Sequence, residues 1–398
     1  MQAKEIREYL DSLPIASSHS HHLPDHEHLN LSLAKLLQNS YVAEKWIGNP
    51  TPTCAEEVDT WLERIRNRNF FIYLERALQE LYHIRRPLHR DSWEEYDSKL
   101  RQANADPDWH LKLLKENCRY ESIAVDTSWD PGSNNGHPEL FRPAFRINPF
   151  TCGYDKDVRD SSGNNAQIIY NTRIDDIEEY VAYMRQKILE KKAQGCTALK
   201  CSVAYFRPLD ITPATKEQAQ KALRYEGTQG SPEDIRNFQD YILDTICTIS
   251  AEIGLPMQIH TGLGQMHRTN AMCLQPLIDR HKETTFILMH GSYPWTDDYT
   301  GLVMFYPNVN ADICWLPQIS PSVAKRTLHE LVDVCNADKI CWGCDTWTGE
   351  ESYASRMAML DVVSTVLAKK IEQGSMDDEF ALHFARGLLH ENSRRLFK

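Results

Sequence analysis

The 398-residue sequence contains no long apolar run. None of its hydrophobic stretches approaches the roughly 18 consecutive residues that a membrane-spanning helix requires, so we expect no membrane partner. The opening segment, MQAKEIREYL, has no apolar stretch of the secretory kind and instead has the pattern of an amphipathic helix. We therefore expect a cytoplasmic protein.

Cysteine pairs are scarce, and clusters of basic residues are missing. Of the 11 cysteines only Cys341 and Cys344 have CxxC spacing, and several lie within apolar stretches, such as Cys196, Cys314 and Cys341. Buried free thiols are typical of a reducing compartment, which agrees with a cytoplasmic location. The formal net charge of -12 argues against a nucleic-acid partner. We expect a small-molecule substrate. We also expect a homo-oligomer.

Tandem repeats, low-complexity segments and long Gly/Ser linkers are absent, which favours a single domain over residues 1–398. From about residue 116, short β-rich apolar runs alternate with helical patterns, for example at 174–193, 232–253, 323–335 and 353–373. With the opening run at 15–21, the apolar runs number eight. Repeated strand–helix–strand order predicts parallel pairing, and eight such units predict an α/β fold, the (β/α)8 TIM barrel.

Residues 31–114 break this alternation. The segment is rich in Trp, Tyr, Leu and charged residues, with helical spacing in TWLERIR and YLERALQELY. We interpret it as a helical insertion after the first strand. Two roles stay open for it, packing against the barrel or roofing the barrel mouth, because the loops that follow the strands surround the active site in this fold.

Polar side chains lie near the carboxyl ends of five predicted strands, where barrel enzymes place their chemistry. They are His19, His21, Lys200, His260, His290 and Asp345. The side-chain period of a strand is two, so His19 and His21 point to the same side. Imidazole and carboxylate are ligands of zinc-like divalent ions. We therefore predict that these residues converge on one metal site.

This pattern resembles the amidohydrolase superfamily of metal-dependent barrels. The likeness rests on HSH in the first strand, Lys in the fourth, His in the fifth and sixth, and Asp in the eighth. GCTALK, at 195–200, is similar to the urease-type segment that carries a carboxylated, metal-bridging lysine. Ser17 stands where many members have an Asp before the histidine pair. That Asp is not usually a ligand, so the metal site is retained.

The two halves of the chain resemble different branches of the superfamily. The second half looks most like the amidohydrolase half of nodulin/glutamine-synthetase-associated proteins, in QIHTGLG, LMHGSYPW, YPNVNADI and WGCDTW. The first half looks more like uronate isomerase, in YVAEKW, the helical insertion, DTSWDP and FRPAFR. The mixture leaves the substrate open.

The resemblance implies one or two divalent ions, zinc or manganese, at the predicted strand-end residues. A first ion would be bound by His19, His21, His260 and Asp345. A carboxylated Lys200 would bridge to a second ion, whereas an unmodified Lys200 would hydrogen-bond substrate or a carboxylate. Asp345 would act as general base and then acid. His290 would be either a ligand of the second ion or a group that polarises the substrate carbonyl.

Substrate contacts are expected from residues just past the strand ends. Arg146 and Arg207 are suited to a bidentate grip on a carboxylate, with surface ion pairing as the alternative. Trp347, with Trp295 and Trp315, either lines the pocket or packs in the core. The remaining histidines of the opening cluster are His22, His26 and His28. His22 must point away from the metal, and the other two either lie in a solvated loop or touch substrate.

These features predict a hydrolase that attacks a C–N bond or a lactone-type ester in a small, polar, acidic substrate. Isomerisation of a sugar acid is the main alternative, and decarboxylation is a third. A metal-dependent binding protein without catalysis is disfavoured, because a complete ligand set together with Asp345 exceeds what binding needs.

Overall fold

A computed structural model describes residues 1–43 and 50–398 of the protein. Its centre is a barrel of eight strands that follow one another in chain order, and every pairing between consecutive strands is parallel. The strands are β1 (Ile15–Ser20), β2 (Tyr120–Val125), β3 (Phe141–Arg146), β4 (Ala198–Cys201), β5 (Met257–Ile259), β6 (Phe286–Met289), β7 (Val309–Asp312) and β8 (Ile340–Cys341). The predicted (β/α)8 barrel is confirmed.

Helices flank the barrel and make the crossovers that parallel strands require. In the described residues they are α1 (Ala3–Ser12), α2 (Asp25–His28), α3 (Leu33–Gln38), α4 (Ala55–Ile65), α5 (Asn69–Leu81), α6 (Trp93–Ala103), α7 (Trp109–Lys112), α8 (Asn148–Thr151), α9 (Ala166–Ile169), α10 (Ile177–Ala193), α11 (Lys216–Ala222), α12 (Pro232–Ile253), α13 (Gln275–Arg280), α14 (Thr296–Phe305), α15 (Leu316–Ile319), α16 (Pro321–Val334), α17 (Gly349–Glu372), α18 (Asp378–Arg386) and α19 (Asn392–Leu396). No helix among them is long and apolar enough to cross a bilayer.

Local capping decides where the predicted helices begin. α17 starts at Gly349, four residues before the predicted 353, because Thr348 accepts a hydrogen bond from the backbone N–H of Glu351. α10 starts at Ile177 rather than 174, because Asp176 caps the free N–H groups of the first turn. The apolar periodicity therefore locates these helices, and the caps set their first residues.

The barrel is closed by hydrogen bonds between β1 and the chain that follows the very short β8. Ser18 N donates to Trp342 O at 3.1 Å, Asp345 N to His19 O at 2.9 Å, and His21 N to Thr346 O at 2.9 Å. These bonds place Asp345 directly beside the two histidines of β1. The closure of the fold thus assembles one part of the site.

Gly343 allows this close approach, and its replacement by alanine should destabilise the fold. A Cβ at this position would clash with the His19 backbone nitrogen and lie 2.7 Å from the His19 carbonyl oxygen. Backbone cannot move aside as a flexible side chain does, so we expect Gly343→Ala to lower the free energy of unfolding by about 3 kcal/mol or more. Urea denaturation measures this change.

The matched control is Gly301→Ala in α14, where nothing lies within 4 Å of an added Cβ. Alanine is favoured in helices, so this change should leave the protein as stable as the wild type or more stable, by up to about 1 kcal/mol. Equal unfolding free energies for both variants would contradict the role of Gly343.

Helices α3 to α7 lie between β1 and β2, in the segment predicted as the insertion. α5 packs against α17 of the barrel. Tyr41 of the segment lines a cavity at the carboxyl ends of the strands. Polar contacts add to the apolar ones, because the buried Glu350 carboxylate accepts hydrogen bonds from Tyr82 at 2.7 Å and Asn104 at 3.1 Å. Residues 44–49, which include the E-K-W of YVAEKW, lie outside the described residues. The single-domain assignment stays a prediction.

Candidate metal centre and its pocket

A cavity of about 710 Å³ opens at the carboxyl ends of the strands. Most of the residues singled out from the sequence line it, namely His21, Arg146, Lys200, His260, His290, Trp315, Asp345 and Trp347. His19 lies buried next to them, with its Nε2 atom 3.3 Å from Nε2 of His21. The barrel therefore brings residues from β1, β3, β4, β5, β6 and β8 or their ends to one place.

Three of these side chains, His19, His21 and Asp345, converge closely, and we call them the triad. The two Nε2 atoms lie 3.3 Å apart, and Asp345 Oδ1 lies 3.5 Å from His19 Nε2 and 3.4 Å from His21 Nε2. Ligand atoms at about 2.1 Å from a zinc ion in tetrahedral coordination are about 3.4 Å apart. The triangle of ligand atoms thus has the size that a divalent ion requires.

A buried polar atom without a partner also fits a cation at the triad. Asp345 Oδ1 is buried and has no hydrogen-bond partner among residues 1–43 and 50–398. Burial raises the pKa of Asp345 to about 7. A buried carboxylate without a partner is unfavourable, and a cation in contact with its oxygen would stabilise the ionised form. The residues present therefore fit a divalent metal.

Backbone conformation at the site is strained as well. Asp345, His290 and Trp315 have positive φ angles of 53°, 66° and 63°. Residues other than glycine adopt such angles at a cost, and strain of this kind concentrates at functional sites. The surrounding fold holds these three side chains in directions that an unstrained backbone would not give.

His260 and His290 form a pair beside the triad. His290 Nε2 lies 2.9 Å from His260 Nδ1, and His290 Nδ1 lies 3.5 Å from Asp345 Oδ2. His260 Nε2 contacts the Leu263 carbonyl oxygen at 2.6 Å, and Tyr205 OH lies 3.3 Å from Nδ1. Burial lowers the pKa of His260 to about 3 and that of His290 well below its usual value, so both rings are neutral. Their roles as metal ligands stay predictions.

Lys200 is buried between the triad and β6. Its Nζ lies 3.3 Å from His19 Nε2 and 2.9 Å from Met289 Sδ. Burial lowers the pKa of its amine, which favours the neutral form. A neutral amine is the form that reacts with CO2, so this position is compatible with either a carbamate or a free lysine.

Asp126 supports the triad, and the sequence analysis did not single it out. Its backbone oxygen contacts His21 Nδ1 at 2.8 Å, which leaves Nε2 to face the triad. Its carboxylate accepts two hydrogen bonds from Arg146, at 3.0 and 2.5 Å. Asp126 also lies close enough to His19 and His21 to share an ion with them, but its carboxylate is committed to Arg146. Asp126 directly follows β2, so the strand-end rule could have found it.

The two predicted substrate-binding arginines differ in surroundings. Arg146 lines the cavity, whereas Arg207 does not and instead pairs with the buried carboxylate of Asp240. Among the three predicted tryptophans, Trp315 and Trp347 line the cavity and Trp295 does not.

The other histidines of the opening cluster lie away from the cavity. His22 is buried, with Nε2 3.3 Å from Ser352 Oγ, and the side chain of His26 is 77% exposed. His28 is buried against His110. None of the three is among the cavity-lining residues of the described chain.

Comparison with known sequences places the second half of the chain in a family. Residues 204–398 match the family model described as amidohydrolase. The protein fluG of Emericella nidulans is 30% identical over 217 residues, which are 50% of this chain and 25% of fluG. The chain thus spans about a quarter of that relative. The uronate isomerase of Phenylobacterium zucineum is 20% identical over an alignment that covers 100% of this chain and 93% of the relative.

Solved structures share the fold over the whole chain. The uronate isomerase of Thermotoga maritima has a TM-score of 0.80 and 16% identity, covering 100% of this chain and 97% of its own. A Lactobacillus casei protein described as a metal-dependent hydrolase has a TM-score of 0.71 and 17% identity, covering 98% and 97%. These likenesses show the fold of the whole chain. The family assignment rests on the second half of the chain, because residues 204–398 match the amidohydrolase model.

Proposed function

We propose that the protein is a metal-dependent hydrolase that cleaves a C–N bond or a lactone-type ester in a small, acidic substrate. The observation that carries this proposal is the position of Asp345. One carboxylate oxygen faces the triad histidines, at 3.4 and 3.5 Å, and the other lies 3.5 Å from His290. A carboxylate placed in this way can remain at a cation through one oxygen and exchange a proton through the other.

The triad would hold the ion, zinc or manganese. When bound, a divalent ion lowers the pKa of water from about 15.7 toward about 7 and polarises a substrate carbonyl. Asp345 accepts a proton from the attacking water at Oδ2 and delivers it to the leaving nitrogen or oxygen. Neutral His290 lies next to that oxygen and orients it. The aromatic side chains around the cavity limit the access of other water molecules.

Arg146 supports an acidic substrate. Its guanidinium has five N–H groups, and three of them are engaged, two with Asp126 and one with Ser162 at 3.3 Å. Two N–H groups are left for an anionic group in the cavity that Arg146 lines. The pairing with Asp126 fixes the plane of the guanidinium before substrate arrives, which favours a bidentate grip.

The chemical form of Lys200 determines whether the site would hold one ion or two. As a carbamate it would present carboxylate oxygens near His19, and His260 and His290 could then hold a second ion about 3.5–4 Å from the first. As a free amine it would hydrogen-bond substrate or Asp345. Crystals grown with bicarbonate distinguish the two forms. Density beyond Nζ with two ions supports the bridge, whereas a bare amine beside a single, fully occupied ion excludes it.

Isomerisation of a sugar acid is the second candidate. The similarity in fold to uronate isomerases extends over the entire chain, including the region of the helical insertion. The cavity also offers Arg146 for a carboxylate and Trp315 and Trp347 for the face of a sugar ring. In this reaction the ion would hold the hydroxy-carbonyl group while a base moves a proton between carbons.

A substrate panel separates the candidates. The metal-loaded protein is incubated with N-acyl amino acids, lactones and uronates, and products are identified by NMR in D2O. Hydrolysis forms a new carboxylate and leaves C–H bonds unlabelled, whereas isomerisation interconverts aldehyde and ketone forms. We expect hydrolysis of at least one acyl or lactone substrate. Uronate interconversion without any hydrolysis would establish the second candidate, and CO2 release would point to decarboxylation.

A further inference from the structure

A second cluster of metal-ligating side chains lies outside the cavity. Asp25 begins α2, His110 lies in α7, and His137 lies in the loop between β2 and β3. Asp25 Oδ1 is 2.9 Å from His137 Nε2 and 3.2 Å from His110 Nε2. None of the three is among the described residues that line the cavity. Segments far apart in sequence thus bring two imidazoles to one carboxylate.

The most informative member of this cluster is His110. It is 2% exposed, and neither of its ring nitrogens has a hydrogen-bond partner within residues 1–43 and 50–398. Its Nε2 nevertheless faces Asp25. A buried imidazole without a well-aligned hydrogen bond is unfavourable, because the 3.2 Å contact with Asp25 Oδ1 does not fully replace its hydrogen bonds to water. A cation next to Asp25 would give Nε2 a well-oriented partner.

His28 holds the His110 ring in position. The two rings are stacked with centroids 4.2 Å apart and planes 9° apart. His28 itself is held by a contact of 3.0 Å between its Nε2 and the Leu23 carbonyl oxygen. The direction of His110 Nε2 is therefore set by packing, as is usual for preorganised ligands.

We propose that Asp25, His110 and His137 form a second metal site, which binds zinc or a similar transition-metal ion. The three ligand atoms lie within 4.8 Å of one another, so small side-chain rotations bring them to an ion at about 2.0–2.2 Å. Two imidazoles select zinc-like ions over calcium or magnesium, which prefer oxygen ligands. The side chain of Asp25 is 53% exposed, which gives the ion an entry path and a water as fourth ligand.

Such an ion would join three segments at the rim of the cavity. Leu23, just before Asp25, lines the cavity, and so do Ser128 and Trp129 of the β2–β3 loop. His110 belongs to the helical insertion. Bound metal would therefore fix the helical insertion against the segment after β1 and against the β2–β3 loop. Its role would be structural, at the entrance to the cavity.

Zinc content of the full-length protein tests the site without any substrate. The protein is stripped with a chelator, reloaded with zinc and dialysed, and zinc per chain is measured by elemental analysis. The variant His19→Ala/His21→Ala disables the triad and should retain about one zinc. Addition of Asp25→Asn and His137→Asn should remove it. His26→Ala is the matched control, because His26 lies in the same helix but is exposed and outside the cluster.

Thermal melting supplies a second readout. Zinc should raise the Tm of the His19→Ala/His21→Ala variant, and that rise should disappear with Asp25→Asn and His137→Asn. A folded His19→Ala/His21→Ala protein that binds no zinc would overturn the proposal. If that variant does not fold, competition titration with a chromophoric chelator is applied to the wild type and to Asp25→Asn/His137→Asn. Loss of one zinc per chain supports the site, and equal stoichiometry and affinity overturn it.

Discussion

Replacement of His19 and His21 by alanine should lower kcat/KM by about 10⁴-fold or more. Both Nε2 atoms belong to the triad, and their loss leaves only Asp345 and the predicted ligand His260. One carboxylate and one imidazole do not hold a zinc-like ion firmly, so the activated water and the polarised carbonyl are lost together. Steady-state kinetics with the substrate identified from the panel measures the fall in kcat/KM. Elemental analysis measures the loss of the ion.

His22→Gln is the matched control for this experiment. His22 is the next residue in the chain and is fully buried, as His19 is, but it contacts Ser352 outside the cavity. Its replacement should lower the free energy of unfolding and leave kcat/KM within about threefold of the wild-type value. The wild-type protein stripped of metal should lose activity and recover it with zinc or manganese. Metal-free protein that still turns over substrate would refute the metal-dependent mechanism.

Arg146→Lys should raise KM or lower kcat/KM by tenfold or more. The guanidinium contacts Asp126 through two N–H groups and still has N–H groups for an anion, whereas a lysine amine is a point charge with three donors. Lysine at this position can pair with Asp126 or hold the substrate, but it cannot reproduce the planar grip. Kinetics with the acidic substrate and with an uncharged analogue should show that the loss is confined to the acidic one.

Arg207→Lys provides a closely matched comparison. Arg146 and Arg207 are each 5% exposed, and each pairs with a fully buried aspartate, Asp126 or Asp240. Arg207 does not line the cavity, so its replacement should lower stability without changing KM. Unchanged kinetics in both variants would indicate that the substrate is not acidic, and the sugar-acid alternative would weaken with it.

Much of the architecture could be predicted because its signals are local. An apolar run bounded by turn residues indicates a buried strand, and repeated strand–helix units have one common topological solution. Each of the eight predicted runs overlaps one strand of the barrel. The same logic predicted the strand-end placement of His19, His21 and Asp345, since the carboxyl ends of parallel strands lie at one end of a barrel. β8 is the shortest of the eight strands, with only two residues. The hydrogen bonds that join this part of the chain to β1 lie beyond it, at Trp342 and Thr346.

The partners of the polar residues were not predictable in the same way. Arg146 and Arg207 look alike in the sequence, as basic residues just past a strand. Only the fold shows that one guanidinium lies in the cavity and that the other is enclosed with Asp240. Likewise, nothing in the spacing of Asp25, His110 and His137 indicates their proximity, because they lie in α2, in α7 and in the loop between β2 and β3.

The sequence by itself determined the barrel, its helices and the residue types at the strand ends. These follow from periodicity and strand order, which depend on neighbours along the chain. The tertiary structure decided which of these residues share a ligand triangle, which arginine faces the cavity, and where a second group of histidines meets Asp25. Those outcomes depend on loop paths, on burial and on contacts between distant segments. Side-chain pairing in a folded chain is set by packing in three dimensions, and local patterns do not encode it.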